Sequence, residues 1–435
     1  MTAAAILDRL AALRCGDLAG ARELRLPDLA EFPREVFGLS DTLEVLDLSG
    51  GTLAELPDDI ARLRKLRVLF CSGNRFERLP PALGDCAALS QVGFRGTGLR
   101  EVPAEALPPR LRWLTLTDNW IAELPDALGE RPLLQKLMLS GNRLKAIPQN
   151  LAAAPNLELI RLAANLFDEV PAWIATNPSL AWISLAGNPF DQGTIPGSAK
   201  LIPWRDLDLR ERLGEGASGL VHRALWRSDG SERPVAVKLF KCAMTSDGLP
   251  EREMAACLAA GPHPSLTGAI GRVIDHPLGI EGLVMPLLPA EWRVLAGPPS
   301  LESCSRDVYA PDLRFPPATA LRIACDVASA AAHLHARGLL HGDLYAHNIL
   351  WDGTKGAAVL SDFGAASSLP TGEAGESLKR LDVRAFGLLL GELLDRCDVE
   401  SDALREVERA CLLRDPGARP PMVEVADSLG RMQAG

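Results

Sequence analysis

The 435-residue sequence predicts an α/β solenoid over its first 195 residues and a separate globular domain after it. A leucine-led pattern recurs from Leu43 through Leu66, Leu89, Leu111, Leu134, Leu157 and Leu180, at intervals of 23, 23, 22, 23, 23 and 23 residues. A constant period in this range marks stacked units that bury a face only against their neighbours. The period stops between Pro189 and Arg205, where Gly193, Pro196, Gly197 and Pro203 break any continuing pattern. The whole chain is also too long for one hydrophobic core.

Composition narrows the function. Apolar residues make up 47% and charged residues 23%, ordinary for a soluble globular protein. A net charge of −10 leaves no basic excess to neutralise phosphates along a duplex, so nucleic acid is not an expected partner. The nine cysteines have no paired spacing, which reads as thiols in a reducing, cytoplasmic setting and suggests neither a disulfide framework nor a zinc site. The N-terminal stretch carries Asp8 and Arg9 in place of an uninterrupted apolar core, unlike a secretory signal. No run of 18 or more apolar residues occurs, so no membrane span is expected.

Residues 1–20 mix Ala and Leu with Asp8, Arg9, Arg14 and Asp17, which suits a short amphipathic helix capping the exposed end of the repeats. From Leu43 each copy reads Leu-x-x-Leu-x-Leu-x-x-Asn-x-Leu, with Ala21 to Leu29 a degraded earlier copy. Residues 21–195 are therefore identified as a leucine-rich repeat solenoid. Leu-x-Leu is a short strand whose inward side chains, such as Leu114 and Leu116, stack from coil to coil. Asn74, Asn119, Asn142, Asn165 and Asn188 fall after each strand, where their amides can bond the backbone of adjacent coils. Gly51 and Thr97 replace the Asn in two copies. Leu79-Pro80, Leu124-Pro125, Ile147-Pro148 and Val170-Pro171 fix extended or turn segments on the convex side. Counting along the strands places Phe70, Arg95, Trp113, Lys136, Met138, Arg161 and Trp182 on the concave face. Aromatics interleaved with basic groups there suit a protein partner or regulator.

Residues 196–206 read as a linker, and residues 207–433 carry the chemistry. His341-Gly-Asp343-Leu-Tyr345-Ala-His-Asn348 gathers a carboxylate and a carboxamide, and Asp362-Phe363-Gly364 follows. Such groups hold divalent cations on a triphosphate and accept the proton of an attacking hydroxyl. Upstream, Gly214-Glu215-Gly216-Ala217-Ser218-Gly219 lets a hairpin approach phosphates, with Val221 behind it. Val235-Ala236-Val237-Lys238 brings a lysine 24 residues after Gly214. A helix-like stretch from Pro250 offers Glu251 and Glu253 as partners for Lys238, Glu253 being preferred for its distance to His263. Leu283 to Leu288, including Met285 and Leu287, is an apolar strand bounding a base pocket. Residues 289–316 read as a loop or insertion, and Pro317 to Gly338 as a helix.

In this order the motifs resemble the protein kinase fold, an α+β bilobal domain, with Asp382-Val-Arg-Ala-Phe-Gly387 and Arg419-Pro420 matching two further family elements. The resemblance implies ATP and Mg²⁺ as ligands. It makes Asp343 the catalytic carboxylate and Asn348 and Asp362 the metal ligands, with Lys238 and Glu253 placing the phosphates. His341 is expected to orient the loop. Residues 214–219, Val221, Ala236, Lys238, Met285 and Leu287 would line the ATP site.

Three departures stand beside these matches. Gly342 replaces the usual Arg before the catalytic Asp, which makes loop phosphorylation dispensable. Tyr345 stands where serine/threonine kinases usually carry Lys. Only 20 residues separate Asp362 from Asp382, and Ala-Pro-Glu is missing, so Glu376 is the candidate to pair with Arg419 in its place. Ser367, Ser368, Thr371 and Ser377 are candidate phosphorylation sites. The leading reading is a protein kinase acting on Ser or Thr. The alternative, from another class, is a nucleotide-binding pseudokinase serving as a repeat scaffold.

Overall fold

The computed structural model describes residues 3–191, 199–228, 230–241 and 244–434. Gly193, Pro196, Gly197 and Cys242 lie outside them. The chain forms two compact units, Met1–Trp173 and Ile174–Gly435. No helix of the described residues is long and apolar enough to cross a membrane.

The first unit opens with a helix, Ala3–Cys15, that buries Leu13 and pairs Arg14 with Glu35 at 2.9 Å. Seven three-residue strands come next, at Glu23–Arg25, Val45–Asp47, Val68–Phe70, Gln91–Gly93, Trp113–Thr115, Lys136–Met138 and Leu159–Arg161. Each pairs in parallel with its successor, and the register lines up Leu24, Leu46, Leu69, Val92, Leu114, Leu137 and Ile160 in one buried row. That row is the physical reason for the period: one inward residue per coil, stacked on its counterparts. The degraded copy is a full member, its strand pairing with the next through Leu24 and Leu46.

Buried asparagines close the coils at Asn74, Asn119, Asn142, Asn165 and Asn188. Asn142 donates from Nδ2 to the carbonyls of Leu116 and Leu139, both at 2.9 Å, and its Oδ1 accepts from the Ile121 N–H at 3.1 Å. Thr97 takes the same place by donating its hydroxyl to the Phe94 carbonyl at 3.2 Å. Gly51 has no room for a side chain, because a Cβ there would lie 2.3 Å from the Leu29 carbonyl oxygen. Prolines 80, 103, 125 and 148 each precede a 3-10 turn, their fixed φ leading the chain into it.

The second unit begins with the last coil of the repeat pattern, including the short helix Trp173–Thr176 from its second residue and the strand Trp182–Ser184. Beyond it lies a six-stranded sheet in the order Leu207–Glu215, Gly219–Ser228, Ser231–Phe240, Gly282–Pro286, Gly271–Ile274, Leu201–Pro203. Leu207, Ala224, Trp226, Val235, Val237, Val273, Val284 and Ile202 form its core. The helix Pro317–Ala336 buries Ala320, Ile323, Ala324, Val327, Ala330, Ala331 and Leu334, a stripe at three- and four-residue spacing. Helices Glu373–Leu394, Asp402–Cys411 and Met422–Ala434 complete this part. The described cysteines, Cys15, Cys71, Cys86, Cys257, Cys304, Cys325, Cys397 and Cys411, are free thiols.

Candidate active site

The glycine stretch is the turn of a hairpin between Leu207–Glu215 and Gly219–Ser228, closed by a bond from the Gly216 N–H to the Gly219 carbonyl at 2.9 Å. Glu215, Gly216 and Ala217 are exposed at its tip, while Ser218 and Gly219 are buried. Gly219 is required by its neighbours, since a Cβ there would lie 2.5 Å from the Leu239 carbonyl and 3.4 Å from Lys238 Cε. Antiparallel pairing sets Val221 opposite Lys238, and Ala236 opposite Met285, so the strand Gly282–Pro286 runs beside the lysine strand. Met285 and Leu287 are half-buried.

Of the two candidate glutamates, Glu253 on the helix Pro250–Ala260 forms the ion pair with Lys238. Glu251 is exposed on the same helix. Burial opposes the charge on Lys238, but the carboxylates of Glu253 and Asp362 outweigh it and hold its pKa above the ordinary lysine value.

The loop from His341 to Asn348 is fixed at both ends. It leaves the strand Leu339–Leu340, which pairs with Ser367–Ser368, and ends in the 3-10 turn Ala346–Asn348 before the hairpin Ile349–Trp351 and Ala358–Leu360. Asn348 Nδ2 donates to the Asp343 carbonyl at 2.9 Å and to Asp343 Oδ2 at 2.8 Å. Asp382, fully buried, accepts from the backbone N–H groups of His341 and Gly342, both at 2.9 Å, and contacts His335 Nε2 at 3.0 Å. Burial opposes its charge, yet these donors hold its carboxyl below the usual range. His341 has no exposed surface; its ring nitrogens meet the Ser361 carbonyl at 3.2 Å and the Asp343 N–H at 3.3 Å. It braces the loop from inside.

Asp362 sits in the left-handed region at φ 60°, tolerable for Asp, and its Oδ1 accepts from the Gly364 N–H at 2.9 Å. The charge of Asp362 acts on Lys238, and the charges of Asp343 and Asp362 both act on His347. Lys238, Glu253, Asp343, Asn348 and Asp362 are thereby brought to one place. Asn348 spends its amide hydrogens on Asp343, so its carbonyl oxygen could hold a cation, to which Asp362 could add a carboxylate. Two hard oxygen ligands suit Mg²⁺ completed by phosphate and water, not a closed protein cage.

Some groups escaped the sequence reading. Asp307, from the segment read as a loop, accepts from the His347 N–H at 2.9 Å and pairs with His347 Nδ1 at 2.7 Å. Burial lowers the His347 pKa, but Asp307 outweighs it and raises it overall. Nothing in the Pro- and Ser-rich segment marks Asp307.

Two expectations are corrected. Glu376 does not pair with Arg419; it holds Lys379 at 2.6 Å, one turn along its own helix. The Arg419 guanidinium instead donates to the carbonyls of Leu413, Arg380 and Pro178 at 2.9, 3.1 and 2.9 Å. Nor is the outward face open at every repeat. Phe70, Arg95, Trp113 and Lys136 are half-exposed, with the Lys136 ammonium 4.2 Å from the Trp113 ring centroid. Met138 and Arg161 are buried. Trp182, 2% exposed, stacks on Tyr345 with ring centroids 4.1 Å apart and planes 8° from parallel.

Residues 207–385 match the family described as protein tyrosine and serine/threonine kinase, and residues 132–190 match leucine rich repeat. A probable serine/threonine-protein kinase of Dictyostelium discoideum, gdt2, is 27% identical over 215 residues, 44% of this chain and 12% of that protein. The megakaryocyte-associated tyrosine-protein kinase of Mus musculus is 27% identical over 278 residues, covering 53% of this chain and 50% of the relative. Podocan of Mus musculus is 36% identical over 121 residues, 27% of this chain and 18% of that protein. The chain thus spans only 12% and 14% of the length of two Dictyostelium relatives.

Proposed function

We propose that this chain, in which leucine-rich repeats are followed by a protein kinase domain, transfers the γ-phosphoryl group of ATP to a protein hydroxyl, serine or threonine by default. The convergence of the Lys238–Glu253 ion pair with Asp343, Asn348 and Asp362 carries this reading. Lys238, kept charged by its carboxylate neighbours, orients the triphosphate under the hairpin at 214–219. Mg²⁺ held by Asn348 and Asp362 would neutralise phosphate charge. Asp343, fixed by Asn348, accepts the proton of the acceptor hydroxyl as its oxygen bonds to the γ-phosphorus and the bond to the departing ADP oxygen breaks. Val221, Ala236, Met285 and Leu287 provide the apolar base pocket.

The repeats bind a protein partner or regulator, a role supported by the half-exposed Phe70, Arg95, Trp113 and Lys136. A cytoplasmic site of action accords with the buried free thiols. A second reading, a nucleotide-binding pseudokinase acting as a scaffold, draws on Tyr345, which replaces the usual Lys and is 4% exposed.

Transfer of label from ATP with Mg²⁺, to the chain itself and to a generic protein, separates the two. Native protein is expected to incorporate label and Asp343→Ala to lose it. Tight ATP binding with no transfer by either would favour the scaffold.

A further inference from the structure

The segment from Asp362 to the helix start at Glu373 is too short to wall the acceptor side of a catalytic loop. Another part of the second unit lies against that loop instead. The strand Trp182–Ser184 of the last repeat coil makes two hydrogen bonds that flank Asp343: the Ile183 N–H donates to the Gly342 carbonyl at 2.9 Å, and Trp182 Nε1 donates to the Leu344 carbonyl at 3.1 Å. The Trp182 indole covers the Tyr345 ring, and the Arg306 guanidinium lies 5.2 Å from the indole centroid. Behind this contact the coil is anchored to two helices and to Arg419 after the turn Pro416–Ala418. Arg419 donates to the Pro178 carbonyl at 2.9 Å, Arg384 donates to the Ser179 carbonyl at 3.0 Å, and Arg252 pairs with Asp191 at 3.5 Å.

Gly342 shows that the fit is tight. Its φ is +72°, and a Cβ there would lie 2.2 Å from the Ile183 carbonyl oxygen. Arginine before the catalytic carboxylate is therefore incompatible with the coil in this position. The missing guanidinium, the short segment and the seated coil have one explanation.

We infer that the last repeat coil is a working part of the phosphotransfer site: Trp182 and the backbone at Ile183 position the catalytic loop around Asp343 and form the acceptor-side wall that the short segment after Asp362 cannot supply. The inference rests on the phosphotransfer reading above and makes Trp182 a positioning residue. A buried stack and two hydrogen bonds fix the loop without any phosphorylated side chain. Loss of such positioning lowers turnover more than nucleotide binding.

The test uses the full-length chain carrying Trp182→Ala, Trp182→Phe or Gly342→Ala. Three quantities are compared with native protein: transfer of labelled phosphate to a generic protein acceptor, affinity for a fluorescent ATP analogue, and amide hydrogen exchange over residues 341–348. Trp182→Ala and Gly342→Ala are expected to slow transfer about tenfold to a hundredfold. Nucleotide affinity should hold, exchange over 341–348 should rise, and Trp182→Phe should recover most of the transfer. Transfer by Trp182→Ala at or above the native rate overturns the inference, because the coil would then be inert or a brake. Unchanged exchange over 341–348 overturns it as well. If native protein binds nucleotide and transfers nothing, the kinase reading itself fails and the positioning role falls with it. Faster exchange in Trp182→Ala would then mark only a structural contact.

Discussion

Lys238 shows how one residue depends on the charges around it. Its ammonium is buried, and the carboxylates of Glu253 and Asp362 raise its pKa against that burial. Lys238→Met therefore removes both the phosphate contact and the partner of a buried glutamate. The expected result is transfer reduced on the order of a hundredfold or more, with ATP still bound more weakly, as single-turnover and binding measurements would show. Leaving Glu253 as an uncompensated buried charge should also lower Tm.

Glu392 gives a residue-scale pH dependence. Burial, and next the charge of Asp307, push its carboxyl from the ordinary 4.5 up to about 7. Tyr309 donates to it at 3.0 Å, and Arg306 and Arg396 only partly offset the rise. The folded chain thus holds a proton that the unfolded chain has released. Its contribution to stability is present in acid and lost as pH rises from about 4.5 to about 7. Replacement by Gln should flatten this slope, gaining about 2 kcal/mol over native protein at pH 8 in denaturant melts. An equal pH slope in both proteins would contradict this assignment.

At the scale of elements, Asp382 ties two of them together, holding the start of the loop 341–348 from the middle of the helix Glu373–Leu394. Asn in its place can accept from two donors at most and presents an amide to the third. A loss of about 2 to 4 kcal/mol in thermal or denaturant unfolding is expected, with transfer lost alongside. Among the repeats, Asn142→Ala leaves the Ile121 N–H without its buried acceptor and removes one of the two asparagine donors at each of the Leu116 and Leu139 carbonyls, which keep Asn119 and Asn165. About 2 to 3 kcal/mol of the first unit's stability should go with it, read from its melting transition.

Legibility at this scale depends on range. The repeat strands, the asparagine positions and the Lys238 and Glu253 partnership all come from spacings within a few tens of residues. The pairing of Trp182 with the catalytic loop spans 162 residues, and nothing in the spacing separates Trp182 from outward residues such as Trp113 in earlier coils. Asp307 was hidden for the same reason: its partner His347 lies 40 residues away, and its segment has no periodicity. Glu376 looked like a partner for Arg419 in sequence, but three backbone carbonyls already satisfy that guanidinium. Motif spacing does not say which group fills a missing role.

For the whole molecule, the compact division after Trp173 places the last coil with the kinase helices and sheet. A protein cut at the end of the repeat period would lose the coil that flanks Asp343, a cost that domain boundaries drawn from periodicity do not show. Whether the groups gathered around Asp343 perform phosphoryl transfer is decided by the rate of labelled phosphate transfer from saturating Mg²⁺–ATP to protein, in the native chain and in Asp343→Ala. Native protein should show measurable transfer that vanishes in the variant while ATP binding persists. Equal transfer by both, or none by a native chain that binds ATP and Mg²⁺, would contradict that role.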